Sequence, residues 1–364
     1  MRMFFMVLIC IVGSDMISIG ENHSVHLRIL DEDRTISVAL PAGYEDSDLN
    51  YPVLFVLDGG TPTSLAHALS TMEILDGRGI APQMIIVGVD TGHGVRDYFP
   101  LPVQGRPGSG KAQEFLGFLQ EELVLWVDSS YRTQDFRVLY GGSNAGMFTV
   151  FTMLENSPSF SGYIAASPSL GWFPEYFTER FACFSPDSST RLYINWGSND
   201  LERIVLNATP ELAEDIPGLF DSAGAFRHEV IHQGGHVPYI SLHNGLEAVF
   251  RGWYLSEADL REDGLAGLIR HYSGLSREYG FAVRVPSGRF MSLGQYYFRA
   301  GRTEEALEVY EAYVEEYPES AMASFFLGEC CRLLGRTDEA VSGYRAALEL
   351  NPSFALAAER LSSL

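Results

Sequence analysis

The chain has 364 residues, 46% of them hydrophobic, enough for a large core and, at ordinary domain lengths, for two domains. Its 25 Lys and Arg stand against 47 Asp and Glu; the net charge of −22 repels phosphate backbones and anionic lipid surfaces, so no nucleic-acid partner is expected. Of the four cysteines, Cys10 falls in the N-terminal segment, and Cys183, Cys330 and Cys331 have no metal-ligand or redox spacing and read as buried small hydrophobes.

Residues 1–14, MRMFFMVLICIVGS, carry one positive charge, an apolar run and a small-residue end. They read as a signal peptide too short to span a bilayer, which predicts a periplasmic or secreted protein. If Met16 is the true start, the expectation is a cytoplasmic one. Next, HSVHLRIL and RTISVALP alternate apolar with polar positions, as the strands of an antiparallel edge hairpin do. Four short apolar runs follow, YPVLFVLD, PQMIIVGVD, FRVLYGGS and RLYINWGSND, each ending in Gly, Asp or Ser and separated by helical segments. That rhythm predicts a parallel sheet with crossover helices. Between them, Phe115, Phe118, Leu119, Leu123 and Trp126 make a helical stripe suited to covering one face of the sheet.

From residue 287 the pattern changes to a repeat. Gly294 and Gly328, Ala306 and Ala340, Tyr310 and Tyr344, and Pro318 and Pro352 are each 34 residues apart, the tetratricopeptide period. Small residues let the helices of a hairpin approach, aromatics fill the gap between repeats, and the prolines stop the second helix. The expected organisation is therefore a signal at 1–14, an α/β domain at 15–256, a helical connector at 257–286, and two repeats with a capping helix at 287–364.

The candidate chemistry starts at LYGGSNAG, where Ser143 follows a strand and precedes a helix. A serine on so tight a turn takes strained backbone angles, so Gly141 and Ala145 must be small. The motif alone fits a nucleophile or a polar turn equally well. A serine hydroxyl needs a base to take its proton and a carboxylate to orient that base. Asp200 ends the strand RLYINWG, with Glu202 as its rival, and His236 sits in a glycine-preceded loop before a helix. Ser, Asp, His is the chain order of the α/β-hydrolase arrangement, whereas His232 and His243 read as packing or surface residues. Oxyanion donors are expected at the Asn144 N–H, after the serine, and the Gly60 N–H, in the turn FVLDGG. The nine histidines form no H-x-x-E-H or H-E-x-x-H group and no carboxylate cluster has ligand spacing, so neither a metal nor another cofactor is expected.

With those residues in view, the sequence resembles the putative esterase family of esterase D and the enterochelin (siderophore) esterases. The resemblance covers roughly residues 23–254, through LPAGY, YPVLFVLDGG, MIIVGVDTGHGVRDYFP, FLGFLQEEL, YRT, LYGGSNAG, SPSLGW and GGHVPYISLHNGLEAVF. The segment HYSGLSREYGF looks like the connector of family members that carry tetratricopeptide repeats. The resemblance implies an α/β-hydrolase fold, a mostly parallel sheet with helices on both faces, followed here by an all-α repeat domain. It also implies a serine hydrolase of carboxylic esters with Ser143 as nucleophile, His236 as base, Asp200 as acid, and Gly60 and Asn144 as oxyanion positions. Ala145 departs from the commoner glycine, and the acid is the least uniform part of the family. Arg96 and Trp172 match positions near the family's site. Arg96 could hold a substrate carboxylate or, with Asp97, anchor its loop; Trp172 could be pocket wall or packing.

The leading expectation is an esterase working through an acyl-enzyme on a small ester, a siderophore-type lactone among the candidates. A different acceptor or acyl donor would make the same triad an acyltransferase or a thioesterase. The alternative from another class is an inactive hydrolase domain serving as a scaffold, with the repeats binding a protein partner.

Overall fold

The computed structural model describes residues 6–12, 15–45, 47–90, 92, 94–220 and 226–364. The expected signal peptide lies partly outside them; its described part, Met6–Val12, pairs as a strand with Asp15–Leu27. The chain divides into two units, Met1–Tyr254 and Leu255–Leu364.

In the first unit, apolar β-rich runs without helical spacing become strands buried on both faces. Among the described residues nine strands form one sheet: β1 (Met6–Val12), β2 (Asp15–Leu27), β3 (Glu32–Ala39), β4 (Tyr51–Leu57), β5 (Ile85–Val89), β6 (Thr133–Gly142), β7 (Gly162–Ala166), β8 (Arg191–Gly197) and β9 (Phe226–Ile231). Their order is β1-β2-β3-β5-β4-β6-β7-β8-β9. β1, β2, β3 and β5 pair antiparallel in succession, and β5, β4, β6, β7, β8 and β9 are parallel. Every residue of β4, β5, β7 and β8 is buried, which parallel strands covered by crossover helices require. The predicted hairpin is β2 and β3, but it is not at the edge, because β1 pairs outside β2; the four predicted parallel strands are β4, β5, β6 and β8.

The predicted covering helix runs from Ala112 to Ser130 but contains a π-helical turn at Leu119–Leu123. The wide turn shifts the stripe, so that Val124 and Val127 are buried beyond it while Trp126 is left half-buried.

The second unit opens with the helix Glu257–Tyr279, kinked at Gly264 and capped by Gly280 in the left-handed conformation. Two helical hairpins follow, Ser287–Arg299 with Thr303–Glu316 and Ala321–Leu333 with Thr337–Leu350, and then Ala355–Ser362. The 34-residue period is visible as contacts. A Cβ on Gly294 would lie 2.6 Å from the Tyr310 ring, and one on Gly328 would lie 3.0 Å from that of Tyr344. Tyr310 also stacks on Phe326 of the next hairpin, with ring centroids 5.2 Å apart, so it closes both gaps.

Candidate active site

Ser143 joins the carboxyl end of β6 to the helix Asn144–Leu154. Its backbone angles, φ 56° and ψ −118°, are rare for a residue with a side chain and hold the hydroxyl out from a sharp turn. The turn closes because Gly141 has no side chain, since a Cβ there would stand 2.4 Å from the Ala145 carbonyl oxygen. Ala145 is itself buried in the core. The Ser143 N–H donates to the Ala166 carbonyl on β7 at 2.9 Å, tying the turn to the neighbouring strand.

Asp200 and His236 arrive from β8 and β9. Gly197 is the contact point between their loops, for a Cβ there would lie 2.1 Å and 2.2 Å from the carbonyl oxygens of Gly234 and Gly235. The Asn199 N–H donates to the Gly234 carbonyl at 2.8 Å, and the Val237 N–H donates to the Ser167 hydroxyl at 3.0 Å. Ser167 and Val237 both have positive φ, 43° and 49°, so this hydrogen bond joins two strained turns. The result brings the three predicted side chains together. His236 Nε2 is 2.9 Å from Ser143 Oγ, and Nδ1 is 3.1 Å and 3.3 Å from the two Asp200 oxygens. The Asp200 side chain has no solvent exposure, whereas that of His236 is 33% exposed. A buried carboxylate on Nδ1 fixes the ring with Nε2 facing the serine, the arrangement a general base needs. Glu202 is exposed, and its backbone N–H donates to Asp200 Oδ1 at 3.0 Å, so it supports Asp200 rather than replacing it.

Asn144 opens its helix, where the first N–H groups have no intrahelical acceptor. Gly60 lies in the turn after β4, where a Cβ would stand 2.5 Å from that of Asp90, so a side chain would clash at this turn. Arg96 lies on the short helix Gly94–Tyr98. It donates through Nε to Asp97 Oδ1 at 2.7 Å and through both terminal nitrogens to Glu32 at 2.9 Å and 2.7 Å, while fully buried Asp97 also pairs with Arg34. Of the two readings of Arg96, that arrangement is the anchor with Asp97 and not the substrate contact, because the guanidinium already faces two carboxylates. Trp172 packs on Phe99, with centroids 5.2 Å apart, and carries the Arg106 guanidinium 5.0 Å above its ring. Two further serines escaped the sequence reading although both lie in SPSLGW. Ser167 holds the His236 loop, and fully buried Ser169 has its hydroxyl 3.3 Å from that of Ser143. In sequence they look like ordinary turn residues; only their place one strand away from the elbow distinguishes them.

Residues 28–202 match the family model described as Putative esterase, and residues 291–355 match that of the Tetratricopeptide repeat. The first unit carries a putative-esterase region and the second carries tetratricopeptide repeats. The chain is a carboxylic ester hydrolase by that match and by its relatives. Ferri-bacillibactin esterase BesA of Bacillus subtilis is 25% identical over 213 residues, 52% of this chain and 69% of that protein. The siderophore triacetylfusarinine C esterase of Aspergillus fumigatus is 26% identical over 185 residues, 45% of this chain and 62% of that one. The solved structure of an IroE-like serine hydrolase from Shewanella oneidensis is similar with a TM-score of 0.69 and 25% identity, over 81% of this chain and 99% of that one. Among the described residues this esterase has no cluster of His, Cys, Asp and Glu placed to hold a metal ion, and no helix long and apolar enough to cross a membrane.

Proposed function

We propose that this esterase cleaves its substrate through an acyl-enzyme on Ser143. The single observation that carries this reading is the unbroken hydrogen-bonded series from buried Asp200 through His236 to Ser143 on its strained turn. In the proposed cycle Ser143 Oγ attacks the ester carbonyl carbon as His236 Nε2 takes its proton. The tetrahedral oxyanion is met by the N–H groups of Asn144 and Gly60, and His236 then returns the proton to the departing alcohol. Water, deprotonated by His236, attacks the acyl-enzyme and releases the acid. Asp200 holds the imidazole in the required tautomer and stabilises its charged form.

The substrate class we propose is a small ester or lactone of the siderophore type. The names of BesA and of the Aspergillus enzyme support it. So does Arg106, an exposed cation over Trp172 on a protein otherwise strongly acidic, which gives an anionic substrate a favourable local contact. The test is labelling by a fluorescent fluorophosphonate together with hydrolysis of short-chain aryl esters. The wild type is expected to label and turn over, and Ser143→Ala, checked for folding, to do neither. Equal activity in the two proteins would refute the assignment of Ser143.

A further inference from the structure

The catalytic residues leave unassigned a cavity of about 230 Å³ beside them. Its wall includes Gly142 and Val237, the immediate neighbours of Ser143 and His236, and Asp58, two residues before Gly60. The space is thus continuous with the backbone that carries the nucleophile, the base and an oxyanion donor. At about 30 Å³ per water it has room for roughly seven water molecules, which suits one short arm of a substrate rather than a whole ligand.

Its polar lining is specific. His67, on the helix Pro62–Gly77, packs its ring on that of Tyr239 with centroids 4.0 Å apart. Burial pushes its pKa below the usual histidine value, with the Tyr239 backbone opposing, and a neutral imidazole offers one ring nitrogen as an acceptor. Tyr140, near the carboxyl end of β6, has no protein partner for its hydroxyl among the described residues. Burial pushes that phenol up to about 12, so it remains a donor. Asp58, whose Oδ1 accepts from the Tyr98 hydroxyl at 2.9 Å, adds a negative charge that disfavours an anionic arm.

We propose that this cavity is a substrate subsite for a short uncharged arm bearing a hydroxyl group, with His67 accepting the hydroxyl proton and Tyr140 donating to its oxygen. The proposal rests on the reading of Ser143 and His236 as nucleophile and base. A hydroxyl is the simplest group that satisfies one donor and one acceptor at once, and an alkyl arm of the same length would cover the half-buried Tyr140 hydroxyl without pairing it.

Two ester pairs test it on the full chain. In p-nitrophenyl 3-hydroxybutyrate against p-nitrophenyl butyrate the hydroxyl is on the acyl side. In glyceryl monobutyrate against propyl butyrate it is on the alcohol side. The wild type is expected to prefer the hydroxylated member of one pair by kcat/KM, and that pair identifies which side of the ester the cavity holds. Tyr140→Phe should reduce the preference about tenfold, and His67→Phe, which keeps a ring against Tyr239, should reduce it similarly. No preference in either pair, or a preference unchanged in both variants, would overturn the subsite while leaving the hydrolase intact. Absence of any turnover and of fluorophosphonate labelling in the wild type would instead overturn the hydrolase reading, and the subsite with it.

Discussion

Asp200 and Glu202 offer two carboxylates for one task, and burial separates them. Asp200 has a fully buried side chain against His236 Nδ1, while Glu202 is exposed and reaches Asp200 only through its own backbone. On the proposed mechanism Asp200→Asn should lower kcat by about 10³ to 10⁴ with little effect on folding, because an amide no longer selects the tautomer that presents a bare Nε2 to the serine. Glu202→Gln should stay within about threefold of wild type. Steady-state kinetics on an aryl ester decides it, and comparable losses in the two variants would mean the acid is misassigned. At this scale the sequence was informative where chemistry imposes an order on the chain. Ser143, Asp200 and His236 each sit at a strand end, and the sheet brings strand ends together. It was silent on Ser167 and Ser169, whose role depends on β7 lying beside β6. It was ambiguous on Arg96, because two of the residues that fix its environment, Glu32 and Arg34, are more than sixty positions upstream.

Those same residues tie elements together. Glu32 and Arg34 belong to β3, Arg96 and Asp97 to the short helix Gly94–Tyr98, and their mutual ion pairs hold that helix against the antiparallel end of the sheet. The hydrogen bonds from Arg96 hold the Glu32 carboxyl down at about 2, with burial opposing and Arg34 adding to the effect. A carboxylate with a folded pKa below its unfolded one stabilises fully above the unfolded value near 4.5, and the contribution disappears as pH falls from there toward 2. Glu32→Gln should therefore cost on the order of 2 kcal/mol at pH 7, and the gap from wild type should narrow progressively below about pH 5. Urea unfolding followed at several pH values measures it; a gap independent of pH between 6 and 3 would mean that the Glu32 charge is not what holds the helix. Element legibility followed burial in the same way. Long apolar runs such as β4 and β8 announced themselves, but β7 is five residues, GYIAA, too short and too small to separate from a helix segment by pattern. β9, FRHEVI, is an edge strand with exposed polar positions and carries no core signature. The π-turn at Leu119–Leu123 is invisible to a 3.6-residue stripe by construction.

Each unit is compact by itself, and on the assignments above the two have separate tasks. Every residue proposed for catalysis or for the hydroxyl subsite lies between Asp58 and Tyr239, inside the first unit, while the 34-residue repeat lies wholly in the second. The four tryptophans, Trp126, Trp172, Trp196 and Trp253, also belong to the first unit, so tryptophan fluorescence reports on it alone. Far-UV circular dichroism includes the second, which is helical throughout its hairpins. A substitution confined to the repeat packing can therefore be read against the catalytic unit in one molecule. Gly328→Val puts a branched side chain where even a Cβ would stand 3.0 Å from the Tyr344 ring and 3.1 Å from the Ala340 carbonyl, and the carbonyl cannot rotate away. Overpacking of this kind costs about 1–3 kcal/mol. Domains with their own cores unfold as separate cooperative units, so the circular dichroism transition of the variant should begin at lower temperature while the fluorescence midpoint and the fluorophosphonate labelling of Ser143 hold their wild-type values. A fluorescence midpoint that falls together with the helical signal would show instead that the repeats stabilise the hydrolase, and would make the second unit part of the enzyme's fold rather than an attachment to it.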